Sequence, residues 1–159
     1  MSGTRITHSN IGGLFLASVL ATVTPAIAHD DGHFVAGEPG VPNRPAKVVE
    51  IVMSDADGHM VYKPDRLKVA RGEQIKFVIR NHGALAHEFV LGDKSENRAH
   101  AQMMASMPDM KHDDPNAKTL EPGESSSLVW RFSREGEFEF ACLFPGHYEA
   151  GMHGVVVVK

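Results

Sequence analysis

Cys142, His147 and Met152 follow one another at intervals of five residues near the end of the chain. A thiol, an imidazole and a thioether carried on one loop of that length can be aimed at a single point. Thiolate, two imidazoles and a weak axial thioether form the donor set of electron-transfer copper centres. The second imidazole has two sources close together, His82 and His87. His87 opens an apolar run and would be held by a sheet, whereas His82 sits in the loop before it. A ligand on a rigid element keeps its geometry better, which favours His87. Each residue alone has a plainer reading: a buried cysteine behaves as a small hydrophobe, Met152 fills a core, and His147 lies on a surface. Their joint spacing is what favours ligation.

Cysteine usage points the same way. Cys142 is the sole cysteine of the 159 residues, so it forms no internal disulfide. An intermolecular bridge, a free thiol or a metal ligand remain. Residues 1–28 read as a secretory signal: Arg5 and His8 lie in a polar start, an apolar run covers 11–23, and Ala26, Ile27 and Ala28 supply a small-residue cleavage pattern. The run is too short for the roughly 20 residues of a membrane span. Export to the periplasm follows, and in an oxidising compartment an unpaired cysteine needs a reason. Cleavage after Ala28 would make His29 the first residue.

The elements that must position these donors are short and β-rich. Residues 29–46 are dense in Gly, Pro, Asp and His, lack periodicity, and read as a flexible arm. Strands are predicted over 47–53, 74–80, 88–91, 127–132, 137–141 and 154–159, from β-branched density or from alternation of polar and apolar residues. Residues 62–69 read as one edge segment, because Pro64 has no N–H for a central ladder. Residues 97–110 have good helix formers and no β-branched residue, so a short helix is expected there. Many short strands separated by Gly and Pro turns make an all-β sandwich or barrel, one domain over 47–159.

Soft donors exceed the four that one site needs. His100, Met103, Met104, Met107, Met110 and His112 crowd the predicted helix and its end, and His29 and His33 flank Asp30 and Asp31. Thioethers select Cu(I), and imidazole accepts either oxidation state. Positions 100, 103, 104 and 107 share one helical face, which would either bind Cu(I) or pack methionine against the barrel. A free α-amino group with the His29 imidazole would chelate Cu(II), or the arm's histidines do nothing.

Over residues 48–159 the chain resembles the cupredoxin family. One stretch that carries the likeness runs from Arg71, Gly72 and Glu73 through Phe77 and Asn81 to His87, Glu88 and Phe89. The other runs from Gly136 to Cys142, then Pro145, Gly146 and His147, then Gly151, Met152, His153 and Gly154. The resemblance implies a Greek-key β-sandwich, here with a short helical Met/His-rich insertion, and one copper held by His87, Cys142, His147 and Met152. Glu88 departs from the pattern, since many members carry Asn or Ser after the first histidine. The His-rich start, the Met/His insertion and the ligand-loop spacing are most similar to the CopI-type periplasmic cupredoxins linked to copper tolerance. That likeness implies copper binding for tolerance, with oxidation of Cu(I) to Cu(II) as the activity it suggests. The other reading is a soluble carrier shuttling electrons to a redox partner such as a c-type cytochrome or a multicopper oxidase. A net charge of −4 gives no basic surface for nucleic acid. Paired His-x-His motifs of a trinuclear cluster are missing, as is any nucleophile-and-base pattern of a hydrolase.

Overall fold

A computed structural model describes Gly3 and residues 34–106 and 114–159. Apart from Gly3, the stretch read as a secretory signal therefore lies outside the described residues, as do His29, His33, Met107, Met110 and His112. No described helix is long and apolar enough to cross a membrane.

Among the described residues, ten strands form two five-stranded sheets. They are β1 (Glu38–Pro39), β2 (Lys47–Ser54), β3 (Val61–Lys63), β4 (Arg66–Val69), β5 (Gln74–Asn81), β6 (His87–Gly92), β7 (Ala117–Leu120), β8 (Ser125–Arg131), β9 (Gly136–Ala141) and β10 (His153–Val158), with one helix, α1 (Lys94–Ser106). The first sheet has the order β1-β8-β5-β2-β3 and the second β4-β10-β9-β6-β7. The pairs β2·β5 and β4·β10 are parallel. Alternation drives the sandwich. In β5, Ile75, Phe77 and Ile79 are fully buried, and between them lie exposed Lys76 and half-buried Val78. The second sheet answers with Phe89, Leu91, Phe138, Phe140, Val156 and Val158, in one core with Ile51, Met53 and Trp130. Rings lock the two layers together. Phe77 of β5 meets Phe89 of β6 at 5.2 Å, and Tyr62 of β3 meets Phe140 of β9 edge-on at 5.1 Å.

Three expectations are corrected. The segment 62–69 is two edge strands in different sheets, β3 and β4, because Pro64 cannot donate to a ladder and the chain changes sheet there. The helix starts earlier than expected. Asp93 Oδ1 accepts from the Ser95 and Glu96 N–H groups at 2.7 and 2.8 Å, and Glu96 Oε2 accepts from Asp93 N at 3.0 Å. This reciprocal cap satisfies donors that a helix start leaves open. The third correction concerns the flexible arm: its described part, residues 34–46, is docked on the domain. Ala36 is fully buried, β1 pairs with Arg131 and Trp130 of β8, and Gly40 N donates to Val129 O at 2.8 Å. The Gln74 amide bridges Val41 N, Val41 O and Arg44 O. Composition masked this because the partner is the open edge of β8, far away in sequence. The short β7 was also not foreseen; it covers the edge of β6.

Gly37 makes the docking possible. Its φ is 134°, and a Cβ there would lie 2.2 Å from Arg131 O. Gly37→Ala should therefore lower stability by about 1–3 kcal/mol. Urea unfolding should show an earlier midpoint, while the visible spectrum of the copper-loaded protein stays unchanged.

Candidate metal centre

The centre is built where two strand ends meet one loop. His87 is the first residue of β6, registered against Leu120 of β7. Cys142 follows the last residue of β9, and β10 begins at His153, so residues 142–152 form the connection between antiparallel neighbours. That loop closes on its own backbone. Cys142 N donates to Met152 O, Met152 N to His147 O, and His147 N to Phe144 O, each at 3.0 Å. Gly146 and Gly151, at φ 85° and 102°, supply the left-handed turns that this path needs.

The donor atoms converge. His87 Nδ1 lies 3.2 Å from His147 Nδ1, and Cys142 Sγ lies 3.3 Å from His147 Nδ1. One donor atom from each of His87, Cys142 and His147 falls within 4.8 Å of the others. His87, Cys142 and Met152 are fully buried, and Met152 shares the core cluster of Cys142. His147 alone of the four is partly exposed, with Phe144 edge-on to its ring at 5.8 Å.

Neighbours hold this arrangement. Glu88 N donates to Cys142 Sγ at 3.3 Å. The contact is made by the backbone and so does not depend on the side chain at 88; the buried Glu88 carboxylate accepts from Thr119 Oγ1 at 3.4 Å. Asn81 is fully buried; its Nδ2 donates to Leu85 O and Leu120 O, and its Oδ1 accepts from Gly83 N. It thereby shapes the loop leading to His87. Asp55 accepts from Ala84 N and Leu85 N and faces His87 Nε2 at 3.2 Å. The Ala84 N–H, opposed in part by burial, holds the Asp55 carboxyl below its ordinary value. On the far side of the ligand loop, Tyr148 Oη and Asn97 Nδ2 both donate to the buried Glu139 carboxylate, at 2.9 and 3.0 Å. That network ties α1 to the loop and left no signal in the local pattern.

The remaining candidates lie elsewhere. His82 is exposed in the loop before β6, and the converging donors are those of His87. On α1, Met104 is buried, while His100 and Met103 are half-buried.

Titration of the three donors fits a cation between them. Burial pushes the Cys142 thiol up to about 12, so a thiolate forms there only beside a positive charge, such as a metal ion, which deprotonates a coordinating thiol outright. Burial holds His87 and His147 below the ordinary imidazole value, which leaves both neutral near pH 7 and ready to ligate. Thiolate and neutral imidazoles suit copper.

A β-sandwich with these buried donors defines a class, and comparison with known proteins names it. The model for copper binding proteins of the plastocyanin/azurin family matches residues 49–159. The chain belongs to that family and is a copper-binding cupredoxin. It is 44% identical to the "Copper-resistant cuproprotein CopI" of Rubrivivax gelatinosus, over 92% of this chain and 94% of that one. It is 34% identical to the protein of the same name from Pseudomonas aeruginosa, over 94% and 92%. Among solved structures, auracyanin B superposes with a TM-score of 0.63 at 27% identity, over 78% of this chain and 96% of that one.

Copper loading should release protons in a way that these environments dictate. With both imidazoles already neutral, Cu(II) binding at pH 7 should release about one proton, the one on Cys142, and apparent affinity should rise about tenfold per pH unit above neutrality. At pH values low enough for the imidazoles to carry protons, which their burial moves below the ordinary histidine range, proton release per copper should increase. Calorimetric titration in buffers of different ionisation enthalpy measures the number.

Proposed function

We propose that His87, Cys142, His147 and Met152 hold one copper as a type-1 centre, blue or green, in an exported periplasmic cupredoxin that serves copper tolerance. The convergence of the His87, Cys142 and His147 donor atoms within 4.8 Å carries the reading. Copper bound there supplies a one-electron couple. The two buried strand ends keep the donors in place whichever oxidation state is present, so little rearranges on electron transfer. Phe89 and Phe140, in the same buried cluster as Cys142 and Met152, make this core apolar. His147, at the partly exposed edge beside Phe144, is where an electron enters or leaves.

Tolerance follows from that chemistry. Each cuprous ion oxidised to the less toxic cupric ion gives up one electron, and a one-electron acceptor must take it. An oxidised c-type cytochrome or a multicopper oxidase is a partner of the required kind. His100 and Met103, which keep some exposure on α1, are proposed to capture cuprous ions together with Met107, Met110 and His112. Met104 joins them in sequence, and its burial suits packing beneath the helix. His29 and His33 are proposed as a Cu(II) chelate at the mature N-terminus. The resemblance to relatives named copper-resistant supports this role. The exposure of His147 also suits a plain electron carrier, the second reading.

Anaerobic titration with Cu(I), followed by air, separates the two. Several bound equivalents, with colour growing as Cu(I) becomes Cu(II), support cuprous oxidation; a single equivalent supports the carrier. Cys142→Ser should abolish the intense visible band, and a variant that kept it would overturn the ligand assignment. In a host lacking its own copy of the gene, the wild-type chain should restore growth on copper and Cys142→Ser should not.

A further inference from the structure

His87 is held by a carboxylate. Asp55 follows the end of β2 and leads into the short turn Ala56–Gly58, and its side chain reaches across to the loop before β6. Its Oδ1 accepts from Ala84 N at 2.9 Å. Its Oδ2 accepts from Leu85 N at 2.7 Å and lies 3.2 Å from His87 Nε2. The Asp55 side chain is only 11% exposed and His87 is fully buried, so water screens this contact little. A carboxylate that already accepts two backbone N–H bonds can only accept from the imidazole. The proton of His87 therefore sits on Nε2, and the lone pair of Nδ1 faces His147 and Cys142.

The neighbouring backbone is cut to fit this contact. Gly83 has an ordinary φ, yet a Cβ there would lie 2.8 Å from Asp55 Oδ2 and 2.9 Å from His87 Nε2. Any side chain at 83 would wedge between carboxylate and imidazole. Glycine is kept there by the Asp55–His87 approach itself, not by backbone conformation.

We infer that Asp55 is a positioning residue for the copper ligand His87, fixing its tautomer and lowering the reduction potential of the centre. The inference rests on the ligand reading proposed above for His87. A hydrogen-bonded carboxylate makes an imidazole a stronger donor. Its negative charge, one ring away from the donor atom, favours the more highly charged cupric state over the cuprous one. A centre with a lowered potential favours copper(II) at rest and gives electrons readily to its acceptor, while its own pull on electrons from cuprous ions is weaker.

The test uses the full copper-loaded chain and four variants: Asp55→Asn, Gly83→Ala, the double variant and His87→Ala. The readouts are the reduction potential from redox titration of the visible band, and thermal unfolding of the copper-free protein. Asp55→Asn keeps an acceptor for the loop N–H groups and removes the charge. It should cut the ratio of Cu(II) to Cu(I) affinity about tenfold, a rise of about 59 mV for a one-electron couple. Gly83→Ala keeps the charge but forces the carboxylate off the ring, and should move the potential the same way. The double variant should go no further than Asp55→Asn. A folded Asp55→Asn with the wild-type potential would overturn the inference, as would full additivity in the double variant. Should Asp55→Asn fail to hold copper, Gly83→Ala decides alone: a raised potential supports the inference and an unchanged one overturns it. Retention of the band by His87→Ala would instead remove the ligand reading. Loss of the band there, with an unmoved potential in Asp55→Asn, removes only the role of Asp55.

Discussion

Cys142 sits fully buried at the end of β9, where no water is at hand to solvate a thiolate. Burial opposes its ionisation strongly, and the N–H of Glu88 on its sulfur offsets only part of that cost. The site gains its negative sulfur only together with a cation, so the protein must present every other donor without help from solvent. Two neutral imidazoles supply nitrogen without adding charge. Met152, a thioether, lies buried in the same core. The thiol's environment thus dictates both the ligand types and the depth at which they lie.

Rigidity comes from what surrounds the two donor segments. Residues 142–152 would be an ordinary mobile connection, but their own backbone hydrogen bonds close them into a compact loop. Tyr148 anchors one side of that loop to Glu139, and Asn97 fastens α1 to the same carboxylate. On the opposite side, Asn81 and Asp55 hold the loop that delivers His87. The stacked and edge-on rings of Phe89, Phe140 and Tyr62 fix β6 against β9 and β3. A ligand shift of a few tenths of an ångström would have to disturb several of these at once. Such a frame is what a one-electron centre requires, since reorganisation of the ligands is what slows electron transfer.

Asymmetry in burial divides the labour between the two histidines. His87 is enclosed and faces a carboxylate on the side away from the other donors, which suits the tuning role inferred for Asp55. His147 is partly exposed, with Phe144 edge-on to its ring, which suits the exchange role proposed for it. On the proposed ligand reading, tuning and exchange would fall to different histidines.

Local sequence determined the chemistry and the class of fold. Intervals of five residues between Cys142, His147 and Met152, a lone cysteine, and alternating strands are all properties of short windows, and each was legible. The helix start was missed, because the run of helix formers points to 97 while the cap lies in Asp93 and Glu96. Tertiary structure decided the rest. Whether His82 or His87 turns inward, which carboxylate backs the chosen ring, and what fastens the ligand loop depend on contacts between residues 32, 54 and 60 positions apart. The docking of residues 34–46 on β8 and the split of 62–69 between two sheets are of the same kind. A window of sequence records which face of a strand is apolar. It does not record which strand edge lies opposite, because that is settled only when two sheets pack and every buried donor must find its acceptor.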